Sequence, residues 1–255
     1  MTPFKKKTEL IWLESTDSTN AELRRQLDRL DNLSVIATVE QTAGRGQGSH
    51  TWYASPGKNL TFSLLLRFPE SGPMYLEASD ALLLTCVASL SIRSYLEEKG
   101  ISAGIKWPND IYVGDSKLCG ILIETIVQGG AMAKAIVGIG LNVNQTVFTS
   151  DAPNPVSMKN IAGKNFEKEL ILSDLHNAIL NYYANFAPDT AAQVQQRYFA
   201  ALYRNDGLHT YQLPDGTRFA AAIERVEPTG HLVLRDADNR LRTFAFKEVQ
   251  FVISE

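Results

Sequence analysis

Gly104-Ile-Lys-Trp-Pro-Asn-Asp-Ile-Tyr-Val113, followed closely by Lys117-Leu-Cys-Gly-Ile-Leu-Ile-Glu124, decides how the rest of the chain is read. It joins an apolar strand pattern to polar groups that a core has no use for. Trp107-Pro108 fixes a stiff corner, because proline locks its own φ and restricts the residue before it. Ile111, Val113, Lys117, Gly120 and Glu124 then fall on two short strands joined by a turn at Gly114-Asp115-Ser116, a hairpin pattern. The hairpin can gather Lys106, Asp110 and Lys117 into one cleft, a set suited to an acidic oxygen substrate and a divalent ion. A buried hairpin with a proline corner and no chemistry is the plain alternative.

The chain has 255 residues, 44% of them hydrophobic, enough for one good core or for a large unit plus a small one. Net charge is -3, with no basic stripe of the kind that follows nucleic acid. The two cysteines, Cys86 and Cys119, lie in apolar contexts and suggest a reducing compartment. Met1 to Thr8 is basic but no long apolar region follows, so it does not make a secretory signal. The longest apolar run, Ala81 to Ala88, is too short for a bilayer. The expectation is a cytoplasmic protein with neither nucleic acid nor membrane as partner.

Working outward, Leu10 to Leu13 reads as a strand and Glu14 to Asn20 as a polar turn. Asp17 or Ser18 is placed to cap a helix from about Thr19 to Leu30, with Leu23, Leu27 and Leu30 on one face. Ser34 to Glu40 is a strand, and Gln41 to His50 is a loop holding Gly44, Gly46 and Gly48. Glycines let backbone N–H groups converge on an anion, and the Arg45 guanidinium can engage a carboxylate or phosphate bidentately. A mobile surface loop is the competing reading. Ser55 to Asn59 is a turn, Leu60 to Leu66 a buried strand, and Tyr75 to Lys99 a helix stopped by Gly100. Ala135 to Asn144 is a strand whose Gly138 and Gly140 an ordinary core would not need; such glycines permit close approach of a ligand. Phe148 to Asn160 reads as loop, with Pro153 and Pro155 within it. Two helices follow, Phe166 to Phe186 with Leu170, Leu175, Ile179, Leu180 and Tyr183 on its apolar stripe, and Thr190 to Arg204 with Val194 and Tyr198 inward. Beyond Tyr203 the pattern becomes short strands, Thr210–Leu213, Arg218–Val226, His231–Arg235 and Arg242–Phe246, that of a small barrel of four or five strands.

Several of these segments together resemble the biotin protein ligases. The family carries Lys106-Trp-Pro-Asn-Asp110 and Lys117-Leu-x-Gly-Ile-Leu-x-Glu124 as they stand here. It also carries Asp17-Ser-Thr-Asn20, Gly44-Arg-Gly46, Trp52-x-x-Ser-Pro-Gly-x-Asn-Leu60 and Gly138-Ile-Gly-x-Asn-Val143. Ser157-Met-Lys159 resembles the segment in which the family's chain returns towards the active site.

The resemblance implies an α+β fold: a mixed-sheet, class II synthetase-like biotin/lipoate ligase catalytic domain over residues 1–204, and a small SH3-like β-barrel over residues 205–255. It implies activation of biotin by ATP to biotinyl-5′-AMP, then transfer to a lysine of a biotin carboxyl carrier protein. ATP and Mg²⁺ enter as co-substrate and ion, with no tightly bound prosthetic group. Lys117, Arg45 and Asp110 become the catalytic set, Asp110 also the Mg²⁺ residue. Ser18, Thr19, Asn20, Gln41, Arg45, Gly46, Gln47, Lys117 and Gly120 become biotin residues. Arg45, Gln47, Trp52, Lys106, Asn109 and Asn142 become nucleotide residues.

The departures are Gln47, Ser49 and His50, where many members are basic or carry glycine, and Lys247 where the family ending Gly-Glu-Val has glycine. Gln47 bears no charge, which weakens the loop's grip on an adenylate. Ser18 starts so near the first residue that the resemblance points to a ligase without a DNA-reading domain. Members of the family can dimerise through their sheets, so a homodimer is admitted. A lipoate or octanoate ligase of related architecture, and a biotin binder without enzymatic activity, are the rival readings. The first lacks Lys-Trp-Pro-Asn-Asp, and the second has no need of Lys117.

Overall fold

The computed structural model describes residues 9–48, 50–72, 75–149, 154–184 and 190–253. The readings made at Met1 to Thr8, Ser49, Pro153 and Phe186 lie outside these residues.

Seven strands form one mixed sheet. They are β1 (Leu10–Thr16), β2 (Val35–Gln41), β3 (Leu60–Arg67), β4 (Gly104–Lys106), β5 (Asp110–Val113), β6 (Ser116–Gln128) and β7 (Ala131–Leu141). Their order is β1-β2-β3-β7-β6-β5-β4. Only β1 and β2 run parallel; every other neighbouring pair is antiparallel. The expected hairpin is therefore β5 and a much longer β6, widened to three strands by β4. Its turn is Gly114-Asp115, with Ser116 already paired to Val113.

Side-chain alternation divides the sheet into two faces. Phe62, Leu64, Val137, Ile139, Leu141 and Ile121 join the main core with α2 (Ala81–Glu98), α4 (Lys168–Ala184) and α5 (Ala191–Ala200). On the opposite face, Leu65, Ile136 and Ile36 pack with Leu23 and Leu30 around α1 (Thr19–Arg25). Beyond that small cluster the same face carries Ser63 and Thr61 on β3, Gly138 and Gly140 on β7, and Leu122 and Gly120 on β6. This second face supports the site.

Several boundaries differ from expectation for local reasons. The first helix stops at Arg25, where the N–H groups of Leu27 and Arg29 turn to carbonyls three residues back, and further on the carbonyls of Leu27 and Leu30 accept from the Arg67 guanidinium. Ser18 is its N-cap residue without a side-chain cap bond; the Asp17 carboxylate accepts the Ser18 N–H at 2.7 Å. Strand β1 continues through Thr16, taking in part of the stretch read as a turn. Helix α2 starts at Ala81, after a short 3₁₀ turn (Ala78–Asp80) closed by a Glu77–Asp80 capping box. The stretch read as loop up to Asn160 contains the start of α3 (Met158–Ala162), capped by reciprocal bonds between Ser157 and Asn160. Leu170 is 66% exposed; Ile171, Leu172, Leu175 and Ile179 form the buried stripe of α4.

The C-terminal part is a five-stranded antiparallel sheet. Its strands are β8 (His209–Gln212), β9 (Arg218–Val226), β10 (Leu232–Asp236), β11 (Leu241–Phe244) and β12 (Gln250–Phe251), in the order β11-β10-β9-β8-β12. Two residues are too few to show alternation, which is why β12 left no sequence signal. The C-terminal sheet touches the deciding stretch directly. Trp107 Nε1 donates to Gly230 O at 3.0 Å, and the rings of Trp107 and Phe246 lie 6.2 Å apart. Among the described residues no helix is long and apolar enough to cross a membrane.

Asn59 holds two loops beneath the site. It accepts the Val143 N–H at 3.0 Å and donates to Gln145 Oε1 at 2.7 Å, entirely buried. Asn59→Ala strands the Val143 N–H and should lower unfolding stability by about 1–3 kcal/mol. Urea denaturation checks this; a midpoint equal to that of the parent chain would refute it.

Candidate active site

A row of partners crosses the sheet: Asp110 on β5 faces Gly120 on β6, Gly120 faces Gly140 on β7, and Gly140 faces Thr61 on β3. The two central positions have no side chain. The indole of Trp52 lies in the space this leaves, close enough that a methyl group on Gly140 would overlap the ring and one on Gly120 would stand 3.1 Å from it. In the next row, a methyl on Gly138 would overlap the amide of Asn20. The groups that approach these glycines are the Trp52 and Asn20 side chains.

At one end of this floor is a neutral polar cluster. Thr19 donates its N–H to Gln41 Oε1 at 2.9 Å and its hydroxyl to the same atom at 3.2 Å. Ser63 Oγ lies 2.8 Å from Thr19 Oγ1 and donates to Asn20 Oδ1 at 2.6 Å. Asn20 Nδ2 donates to Glu124 Oε2 at 3.0 Å. Ser18 is buried beside them. Thus Ser18, Thr19, Asn20 and Gln41 do come together. Sequence reasoning missed Ser63 and the part played by Glu124. Ser63 had a signal, as one of two hydroxyl side chains, with Thr61, in the otherwise apolar Leu60-Thr-Phe-Ser-Leu-Leu-Leu66.

The charged end is built on the hairpin. Lys117 Nζ donates to Asp110 Oδ2 at 2.7 Å, both side chains about three-quarters buried, and the ammonium sits 6.0 Å from the Trp52 ring centroid. The Lys117 backbone is fixed from outside the hairpin, donating to Asn154 O at 2.8 Å and accepting from Val156 N at 3.0 Å. Lys106, paired with Asp110 across β4 and β5, rests its ammonium 4.9 Å from the Tyr112 ring and 5.5 Å from that of Phe251. Burial lowers the Lys106 pKa from the usual lysine range, partly opposed by the Asp110 charge. Lys106, Asp110 and Lys117 thus share one neighbourhood, as the spacing predicts.

The glycine loop is a small folded unit. Arg45 bridges Thr51, Gly46 N–H donates to His50 O at 2.7 Å, and Trp52 N–H to Gly44 O at 3.0 Å. The Arg45 guanidinium lies 3.6 Å from Glu124 Oε1 with its side chain half exposed. Gln47 Oε1 is buried without a hydrogen-bond partner, as is Trp52 Nε1.

Two nucleotide candidates bond to the backbone. Asn142 is 3% exposed and its amide donates to Val156 O at 3.1 Å and Lys117 O at 3.4 Å, so it braces Lys117 from behind instead of lining the cleft. Asn109 spends its amide on Ile121 O. Both asparagines direct Nδ2 at backbone carbonyls, which sequence spacing does not reveal. Among the described residues no three His, Cys, Asp or Glu side chains meet. Asp110 is a single carboxylate, and one carboxylate beside substrate phosphates is an ordinary donor set for Mg²⁺.

The mixed sheet with its second, antiparallel sheet is the architecture of known ligase structures. Biotin protein ligase from Aquifex aeolicus, in complex with biotin and ATP, superposes with a TM-score of 0.76 at 23% identity, covering 98% of this chain and 100% of that one. Residues 12–142 match the biotin/lipoate A/B protein ligase family, and the chain belongs to that family. The biotin–[acetyl-CoA-carboxylase] ligase of Paracoccus denitrificans is 30% identical over 239 residues, 89% of this chain and 95% of that protein. The bifunctional ligase/repressor of Bacillus subtilis is 35% identical over 153 residues; the match spans 59% of this chain and 43% of that protein.

Gly140→Ala should expel the Trp52 indole from the floor, while Gly120→Ala, with a looser contact, should do so less. Acrylamide quenching of tryptophan fluorescence reads the displacement, with Trp52→Phe as the reference for the signal of Trp12 and Trp107. The expected order is Gly140→Ala above Gly120→Ala above the parent chain. Equal quenching in all three would show that the indole does not rest on Gly140.

Proposed function

We propose that the chain activates biotin with ATP and passes it to a specific lysine of a biotin carboxyl carrier protein. A biotin carboxylate oxygen attacks the α-phosphorus of ATP, the bond to pyrophosphate breaks, and biotinyl-5′-AMP forms. The carrier lysine amine then attacks the acyl carbon, AMP leaves, and the amine gives up a proton. The observation that carries this reading is a stretch of sheet thinned by glycines and covered by Trp52, with a neutral hydroxyl-and-amide cluster at one end and the 2.7 Å Lys117–Asp110 pair at the other.

Each end suits one half of the chemistry. A ureido ring needs donors and acceptors without charge, which Ser18, Thr19, Asn20 and Gln41 supply. Gly46, Gln47 and Gly120 border the biotin chain, with the Lys117 backbone beside it. The first step sets carboxylate against phosphate, and Lys117 is the cation that bridges them as charge develops. Asp110 aims Lys117 and keeps an oxygen for Mg²⁺, which when bound would neutralise phosphate charge. Arg45 exchanges Glu124 for the anhydride, Lys106 faces the phosphates, and Trp52 covers the nucleotide side. Asn109 and Asn142 act through the backbone they hold. The folded loop from Gly44 to His50 shields the anhydride from water. We read residues 1–204 as the catalytic domain and residues 205–255 as an SH3-like barrel.

Mixing the chain with biotin, MgATP and an apo carrier domain should add the mass of one biotinyl group to the carrier. Lipoate in place of biotin tests the rival acyl substrate. Lys117→Ala should slow biotinyl-AMP formation about 10²-fold or more in a single turnover. An unchanged rate would remove Lys117 from the chemistry.

The buried Lys106 gives a pH signature. Its folded-state pKa is lowered, so its ammonium is lost at a lower pH than that of an exposed lysine. If that charge holds phosphate, KM for MgATP should rise as pH climbs through the depressed pKa. Lys106→Arg, charged throughout, should flatten the profile. Identical profiles in the two proteins would exclude the assignment.

A further inference from the structure

Lys247 stands on the turn between β11 and β12, far from the cleft in sequence. Its φ is +74°, a left-handed backbone in which glycine is the favoured residue and a lysine is strained. The turn is closed on both sides of it: Glu248 N–H donates to Ala245 O at 3.1 Å, and Ala245 N–H donates to the Glu248 carboxylate at 2.7 Å. Glu248 is thereby occupied within its own turn, and the direction in which Lys247 leaves the sheet is fixed.

The side chain reaches the glycine loop of the other sheet. A Cβ on Gly48 would collide with Lys247 Nζ and would lie 3.0 Å from Cε. A side chain at 48 would push the ammonium aside, and the φ of +68° there favours glycine in its own right. Among the described residues Lys247 has no ion-pair partner. Close by in sequence is Gln47, whose Oε1 is buried and unpaired, and Arg45, whose charge already faces Glu124 at 3.6 Å. The residue before Lys247, Phe246, packs on Trp107 of the Lys106–Asp110 stretch. The ammonium therefore stands between the glycine loop and the C-terminal sheet, one residue from the Phe246–Trp107 contact. A strained backbone that holds an uncompensated cation over a glycine loop is explained by an anion that arrives there. Glycine at 247 would relieve the strain, and what lysine adds is its charge.

We propose that Lys247 is a phosphate-binding residue for the nucleotide, supplied by the C-terminal sheet across the glycine loop. This rests on the biotin-activation reading. The lysine provides the positive charge that the neutral Gln47 does not, and it couples nucleotide occupancy to the docking of the C-terminal sheet against the loop.

The test uses the full chain in a biotin-dependent ATP–pyrophosphate exchange assay, with KM for MgATP and for biotin measured separately. Lys247→Gly is the main variant, because glycine accepts the left-handed backbone and should fold at least as stably as the parent. It should raise KM for MgATP about ten-fold, the loss of one charge-assisted contact, and leave KM for biotin within about two-fold. The MgATP effect should shrink as salt is raised, because a rim contact is screened. Lys247→Arg should restore KM for MgATP. An unchanged KM for MgATP in Lys247→Gly, or an equal rise in both KM values, would overturn the inference, the latter by showing that Lys247 only shapes the loop. Absence of biotin-dependent exchange in the parent chain would instead reject the functional reading, and this inference with it.

Discussion

The site depends on side chains being absent from one face of β6 and β7. Without Cβ atoms at Gly120, Gly138 and Gly140, Trp52 and Asn20 lie flat against the sheet. Opposite these glycines, Cys119, Ile121, Val137, Ile139 and Leu141 on the other face belong to the main core. The core face tolerates the thinning, because around these glycines the strands take most of their hydrophobic stabilisation from that side. A strand normally buried on both faces loses packing at each glycine. Here Trp52 and Asn20 take up the space that the missing side chains leave.

The cleft separates two kinds of polarity. Around Thr19 the groups are neutral and bond mainly to one another, with Ser63 and Gln41 tying α1 to β3 and β2. Around Lys117 the groups are charged and partly desolvated, where a Coulombic contact is stronger than in water. Glu124 links the ends, accepting from Asn20 on one oxygen and facing Arg45 with the other. Movement of Arg45 on the loop is thus connected to the neutral cluster through a single carboxylate.

The C-terminal sheet takes part in this arrangement. Gly230 accepts from Trp107, Phe251 covers the Lys106 ammonium, and Arg204 donates to Val252 O at 2.7 Å. The rings of Tyr112, Tyr203, Phe251 and Tyr211 run in sequence from the hairpin into the second sheet. Phe251 over Lys106 helps to exclude water from that amine, the cause of its lowered pKa.

Much of the fold was legible because alternation and glycine placement are local properties. The strands Leu60–Leu66 and Ala135–Asn144, the hairpin, and the gathering of Lys106, Asp110 and Lys117 followed from spacing along one or two strands. The cluster of Ser18, Thr19, Asn20 and Gln41 was reached through motif resemblance, since nothing local brings β2 to the start of α1. What tertiary structure alone decided was the partner of each polar group. Asn142 and Asn109 read as ligand groups, yet carbonyls contributed by other segments claim both amides. Ser63 is a core-strand residue by position and a site residue by contact. Leu170 belongs to the apolar stripe by type but to the exposed side by the 100° step of its helix. Lys247 sits two hundred residues from Gly48, and its charge reaches the loop only because two separate sheets dock. Sequence fixes which groups a chain has and how each strand alternates; hydrogen-bond partners across long separations depend on packing, which spacing does not encode.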